Sequence, residues 1–337
     1  MVREQPIGAA LAGPHSPAAV ADVLSDGPDQ ACQSVCGSDL LRWRRLQLDQ
    51  GGRSVDLDWL LREEAGLHWA TLQRLRLDPG RSVRLLTGLG HLQTLWRRHC
   101  LQHEPLQYLV GRCPWRDLEL DVAPGVLIPR QETEQLVALA QECVGADPPR
   151  CWADLGTGSG CLAAALARLW PDALGFGVDR SARALRQAQS NLQRWAPAQR
   201  VHLLAGDWWA PLQSWWGRLE VVVTNPPYIP TATWAALEPV VQRHEPRLAL
   251  DGGADGLAAI RLIVSDAPRA LAPGGWLLLE HHHDQSEAVQ ELFQAAGLEQ
   301  ISAHRDLEGN GRFVVGRCAG GGRPRPEFPT QPASRHG

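Results

Sequence analysis

The 337 residues carry a formal net charge of −4, from 37 acids against 33 basic residues, every one of them arginine. A chain that grips a long nucleic acid usually shows a basic excess, so this balance weighs against a DNA or RNA partner. No run approaches the roughly 18 uninterrupted apolar residues of a membrane span. The N-terminus also lacks a basic segment ahead of an apolar core, so a cytosolic protein is expected.

The hydrophobic content of 44% is ample for a sizeable core, and the length suits one large or two modest domains. Eight scattered cysteines read as free thiols of a reducing compartment. Cys32 and Cys36 have the spacing of half a metal site, but no second ligand pair accompanies them, and no metal is expected.

Residues 1–37 are rich in Ala, Gly, Pro and Ser without periodicity, and read as a disordered extension. From Ser38 the apolar spacing predicts helices. Leu40, Leu41, Trp43, Leu46 and Leu48 mark the first, with Ser38 or Asp39 as N-cap and Gly51-Gly52 as stop. Val55 to Ala65 and Trp69 to Leu77 follow. A longer fourth helix is expected from Ser82 to about Gln102, with Leu85, Leu89, Leu92 and Leu95 on one side. Residues 38–104 thus read as a small all-α helical bundle. A bland cap and a partner-recognition domain are both open for it.

Residues 105–129 read as a two-stranded β-ribbon linker. Leu118 to Val122 alternates with period two, Pro124-Gly125 makes a turn, and Val126 to Pro129 returns. Arg130 to Glu134 opens a helix, with acids in the first turn, where the helix dipole favours them.

Cys151 to Leu155 is an apolar strand containing an acid, Asp154. Gly156-Thr157-Gly158-Ser159-Gly160 follows, then a helix from Cys161 to Trp170. Strand, glycine loop and helix form a ligand-binding turn: glycines admit the ligand close to the backbone, and the helix start offers free N–H groups. The dinucleotide pattern G-x-G-x-x-G/A fails from Gly156, where Cys161 occupies the last position. It survives from Gly158 through Gly160 and Ala163, but nothing in the chain looks like a hydride-transfer site. A second strand runs from Ala173 to Val178 and ends at Asp179, about 20 residues past the loop, where a ribose-binding carboxylate belongs. The alternative for Asp179 is a cap on the next helix. Val201 to Ala205 is a third strand. After it, Asp207 is placed to accept from an adenine amino group and Trp208 to flank the ring, with loop packing as the alternative for the tryptophans.

Glu220 to Thr224 is a β-branched strand that the prolines of Asn225-Pro226-Pro227-Tyr228 stop at once. Asn225 therefore sits at a strand's C-terminal end, where open α/β sheets bind ligands. Its carbonyl can accept from a planar NH2 group. The Pro226 carbonyl is a second acceptor, Pro227 stiffens the corner, and Tyr228 offers an aromatic face to a planar substrate. No strong base is evident nearby. Downstream, a helix from Leu257 to Leu271, a strand from Trp276 to Glu280, a helix from Ser286 to Ala296 and a hairpin around Gly309-Asn310-Gly311 are expected. His281-His282-His283 reads as a polar loop rather than a metal site, since neighbours in an extended chain point oppositely. Residues 319–337 read as a disordered tail.

The Asn225 tetrapeptide resembles the signature of amino-group methyltransferases that use S-adenosylmethionine, whether on DNA adenine, ribosomal RNA guanine or protein glutamine. The stretch from about 38 to 318 is similar to one family in particular, the methyltransferase of class I peptide chain release factors. Pro105 to Gly111, Leu127 to Glu134, Asp154 to Gly160, Asn225 to Pro230, Asp251 to Leu257 and Leu271 to Gly275 carry that resemblance, in this order and behind a helical domain. It departs at His281-His282, where the family usually has Ile-Gly, and in its long N-terminal extension.

The resemblance implies a Rossmann-like, seven-stranded α/β class I methyltransferase domain over 130–318, with S-adenosylmethionine as cofactor. The residues matching Gly156 to Gly160, Asp179, Trp208 and Asn225 would bind cofactor or substrate. The acceptor would be the side-chain amide of the release factor's Gly-Gly-Gln glutamine, recognised in part by the helical domain. A nucleic-acid amino-methyltransferase is the alternative enzyme. A non-catalytic adenosylmethionine-binding adaptor on a translation factor is the alternative of another class.

Overall fold

The structure, a computed structural model, describes residues 32–196 and 200–320. The expectations of disorder for 1–31 and 321–337 lie outside them. The chain divides into two compact units, one up to Cys100 and one from Leu101 on.

In the first unit, helices α1 (Gly37–Asp49), α2 (Ser54–Ala65), α3 (Trp69–Leu77) and α4 (Leu89–Gln102) follow the predicted periodicity. Leu40, Leu57, Leu60, Leu61, Leu72, Leu75, Leu92 and Trp96 are buried. Gly66, at a φ of 68°, closes α2 in the left-handed conformation that glycine adopts without strain. Two expectations are corrected. Gln33–Cys36, read as part of the disordered extension, is strand β1. Ser82–Leu85, read as the start of the fourth helix, is strand β2, antiparallel to β1 with Val35 opposite Val83. The leucines at 85, 89, 92 and 95 suggested one continuous face. Gly88 falls in the break between β2 and α4, and the pairing partner lies about fifty residues upstream, beyond the reach of local periodicity.

In the second unit, a short helix α5 (Leu106–Val110) precedes the ribbon of β3 (Arg112–Trp115) and β4 (Leu118–Asp121), with Cys113 opposite Leu120. The expected return strand at Val126 to Pro129 is absent, because its backbone is satisfied from elsewhere. The Tyr108 hydroxyl donates to the Val126 carbonyl at 2.6 Å, and the Ile128 N–H donates to Glu245 at 3.2 Å. Helix α6 (Glu134–Val144) begins four residues later than Arg130.

Then come β5 (Cys151–Leu155), α7 (Cys161–Leu169), β6 (Leu174–Asp179), α8 (Ala182–Trp195), β7 (Val201–Ala205), β8 (Leu219–Thr224), α9 (Pro239–His244), α10 (Ala258–Ala270), β9 (Leu271–Glu280), α11 (Ser286–Ala295), β10 (Glu299–Arg305) and β11 (Gly311–Arg317). The seven-stranded sheet has the order β10-β11-β9-β8-β5-β6-β7. Strands β5 to β9 run parallel, and β11 is antiparallel to both its neighbours.

Apolar residues fill both faces. Val221 and Val223 join a core with Leu136, Leu166 and Leu192 from α6, α7 and α8, while Val222 joins another with Ile263, Val289 and Phe293 from α10 and α11. Alternation along a strand buried on both sides requires two such layers. This is the Rossmann-like sheet expected from the sequence. Its order reverses between β5 and β8, and ligands bind outside the strand ends at such a reversal.

Candidate active site

The β5 and β8 ends lie at the same level because Leu155 pairs with Thr224. The buried Thr224 hydroxyl secures this by donating to the Leu155 carbonyl at 2.7 Å. The glycine loop and Asn225 therefore emerge side by side. Gly156 and Gly158 have φ of 76° and 55°. A Cβ on Gly156 would come within 3.2 Å of the Trp208 ring, whereas around Gly158 the nearest atom to an added Cβ is 3.9 Å away. The Gly158 N–H donates to Asp179 Oδ2 at 2.9 Å, and the Ser181 N–H to Asp179 Oδ1 at 2.8 Å. Capping of α8 falls to Ser181, whose hydroxyl accepts from the Ala184 N–H at 3.3 Å. Burial raises the Asp179 carboxyl above its ordinary value, opposed by these N–H groups.

A cleft of about 280 Å³ is lined in part by Gly156, Gly158, Asp179, Asp207, Trp208 and Asn225. That is near the lower end for small-molecule pockets, roughly 300–1,000 Å³. Asp207 is largely exposed and stands 3.3 Å from Arg180. Trp208 has a φ of 46°, in the left-handed region that a bulky side chain occupies at a cost. Thr157 and Ser159 line a smaller adjoining hollow with Arg130 and Thr133. The Thr157 hydroxyl donates to Asp154 at 2.6 Å, and burial lifts that carboxyl to about 7. Gly160 is outside both hollows. A Cβ there would sit 3.0 Å from the Ala188 Cα, so it serves the close approach of α7 and α8.

Asn225 donates through Nδ2 to Thr133 Oγ1 at 2.9 Å, and its Oδ1 has no donor among the described residues. Pro227 lines the cleft; Pro226 is buried and does not. Tyr228 is not part of the cleft wall either. Its hydroxyl donates to Glu280 Oε1 at 3.1 Å, and Thr133 donates to Glu280 Oε2 at 2.6 Å. Thr133 and Glu280 had no assigned role in the sequence reading, although both lie at element ends that it quoted. Glu280 is 1% exposed, and burial lifts its carboxyl to about 7. The same burial pushes the Tyr228 hydroxyl up. In the histidine run, His281 is buried and His282 bonds Asp284 at 2.6 Å, so only part of it is a surface loop.

Four strand-end segments thus converge on one cleft, with an amide oxygen free to accept and a glycine-lined hollow beside it. Known proteins are similar in sequence to this chain. The methyltransferase small domain family matches residues 136–254. A release factor glutamine methyltransferase of Prochlorococcus marinus is 48% identical over 277 residues, covering 82% of this chain and 94% of the relative. One of Thermosynechococcus vestitus is 45% identical, covering 77% and 89%. One of Geobacter sulfurreducens is 39% identical, covering 82% and 95%. With identity this high across both units and nearly the whole length of its relatives, the chain belongs to the release factor glutamine methyltransferase family.

Proposed function

We propose that this protein transfers a methyl group from S-adenosylmethionine to the side-chain amide nitrogen of the Gly-Gly-Gln glutamine in class I peptide chain release factors. Within the site, the observation that carries this reading is the Asn225 carboxamide at the cleft, its Nδ2 occupied by Thr133 and its Oδ1 open to a donor. A primary amide brings two N–H donors; Asn225 Oδ1 would accept one, and the main-chain carbonyl of Pro226, a residue otherwise buried behind the cleft wall, would accept the other. Pro227 would keep the corner rigid, and Tyr228 would brace it.

The residues around the cleft fit the methyl donor. Two positive-φ glycines leave the backbone open, a carboxylate borders the same space, and a flat indole ring stands next to Gly156. Gly156, Thr157, Gly158, Ser159 and Gly160 would form the receiving loop, and Asp179 would accept from the ribose hydroxyls. Asp207 and Trp208 would meet the adenine. When bound, S-adenosylmethionine supplies an electrophilic methyl group on a positively charged sulfur.

An amide nitrogen is a poor nucleophile because its lone pair is delocalised into the carbonyl. Asn225 and Pro226 would turn it toward the methyl and hold it in line; such alignment is worth roughly 7–11 kcal/mol at its upper end. The N–H bonds grow more acidic as nitrogen gains positive charge, so fixed acceptors stabilise the transition state more than the ground state.

A protein acceptor agrees with the net charge of −4, and no direct nucleic-acid contact is expected. Among the described residues no helix is long and apolar enough to cross a membrane. A release factor acceptor places the reaction in the cytoplasm. We assign residues 38–104 to release-factor recognition, 105–129 to the linker and 130–318 to methyl transfer. Mass spectrometry of the Gly-Gly-Gln peptide after incubation with cofactor and release factor tests the reading. One methyl on the glutamine amide is expected; an unmodified glutamine, or label entering stripped nucleic acid instead, would overturn it.

A further inference from the structure

Thr133 occupies the N-cap position of α6, yet its hydroxyl makes no capping bond. A threonine there ordinarily accepts from an N–H of the first turn. This one is 2% exposed and joins Asn225 to Glu280 instead, residues 92 and 147 positions away. Glu280 is placed beside Asn225 by the sheet, since Thr224 pairs with Leu279 and each residue comes next in the chain. A carboxylate buried this deeply is costly unless fixed donors satisfy it. It accepts from Thr133 on one oxygen and from Tyr228 on the other.

We infer that Glu280, acting through Thr133, fixes which way the Asn225 amide faces, and that both are positioning residues for methyl transfer. A hydroxyl has one hydrogen. Because Thr133 gives that hydrogen to Glu280, its oxygen can only accept from Asn225. The Asn225 NH2 must then face Thr133, which leaves Oδ1 on the other side. If the amide turned over, Oδ1 would meet an oxygen lone pair, and the NH2 would be presented to the acceptor's NH2, donor against donor. Glu280 also grips the far end of the corner through Tyr228, so one buried carboxylate holds both ends of Asn225-Pro226-Pro227-Tyr228.

This rests on the reading that Asn225 Oδ1 receives the acceptor amide, and the test separates the two. Single-turnover transfer to an intact release factor would be measured for Thr133→Val, Thr133→Ser, Glu280→Gln, Asn225→Asp and the double variant Asn225→Asp/Glu280→Gln, with cofactor affinity measured alongside. Thr133→Val and Glu280→Gln should each lose at least tenfold in rate with cofactor affinity within about twofold, and Thr133→Ser should stay near wild type. In Glu280→Gln the new amide can donate to Thr133, freeing the hydroxyl hydrogen for residue 225. An aspartate there would welcome it, so the double variant should be at least tenfold faster than Asn225→Asp alone. A merely structural role would give no such reciprocal rescue. Wild-type rates in Thr133→Val, a serine variant as slow as the valine, absence of rescue, or parallel losses of rate and cofactor affinity would each overturn the inference. Asn225→Ala would be measured in the same assay, and a wild-type rate there would instead sink the reading beneath it.

Discussion

At the residue scale, the proposed roles separate into groups that would face the acceptor and groups that would face the cofactor. Asn225 has one free acceptor atom at the cleft, its NH2 being held by Thr133. Its replacement by alanine should slow transfer about a hundredfold in single-turnover kinetics and leave the cofactor dissociation constant within about twofold, because lost positioning and electrostatics act on the transition state. Asp179 should behave oppositely. Hydrogen bonds to a charged group are worth about 1.5–3 kcal/mol, so Asp179→Ala should raise the cofactor dissociation constant at least tenfold, as calorimetry would read. Glu280 brings a pH dependence. Desolvation holds its carboxyl up at about 7, with Thr133, Tyr228 and Arg312 favouring the ionised form and Glu132 opposing it. The neighbouring buried His281 has its basicity lowered by burial, which keeps it neutral in this range. The ionised form is the one that accepts from Thr133. The rate should therefore climb as pH rises through about 7 and fall below it, and Glu280→Gln should flatten that limb while slowing the reaction. An unchanged limb in the variant would assign the titration to another group, such as Asp154.

At the scale of elements, the strand ends set the distances on which the residues depend. The pairing of Leu155 with Thr224, and of Thr224 with Leu279, delivers the glycine loop, Asn225 and Glu280 to one level. Gly160 has a related task behind the loop. Its φ is 80°, and an added Cβ would meet the Ala188 Cα at 3.0 Å, a backbone atom that cannot swing aside. Gly160→Ala should thus force α7 and α8 apart and cost about 1–3 kcal/mol, measured as a lower urea midpoint. The same scale explains the expectations that failed. Ser82–Leu85 forms a strand only because Gln33–Cys36 lies beside it, and Val126 to Pro129 fails to form one because Tyr108 and Glu245 take its backbone groups. Neither partner is local, and apolar spacing reports only local partners.

At the scale of the whole molecule, the proposed reading assigns methyl transfer and recognition to different parts of the chain. The helical unit exposes Trp69 and Leu77, at 67% and 88%. An exposed aromatic that anchors an interface typically contributes more than about 1 kcal/mol. Trp69→Ala should therefore raise KM for the intact release factor about fivefold or more and leave KM for a short Gly-Gly-Gln peptide unchanged. Equal effects on both acceptors would remove the recognition role.

Local pattern was enough to read the strands, the glycine loop and the corner at Asn225. Those depend on glycine, proline and β-branched residues, whose backbone preferences act within a few positions. It took long-range packing to show that Asp179 takes the Gly158 and Ser181 N–H groups while Ser181 caps the helix, and that Thr133 passes over its own helix to join Asn225 to Glu280. A hydrogen bond between residues far apart in sequence is set by strand register and packing, and neither leaves a mark on the local pattern.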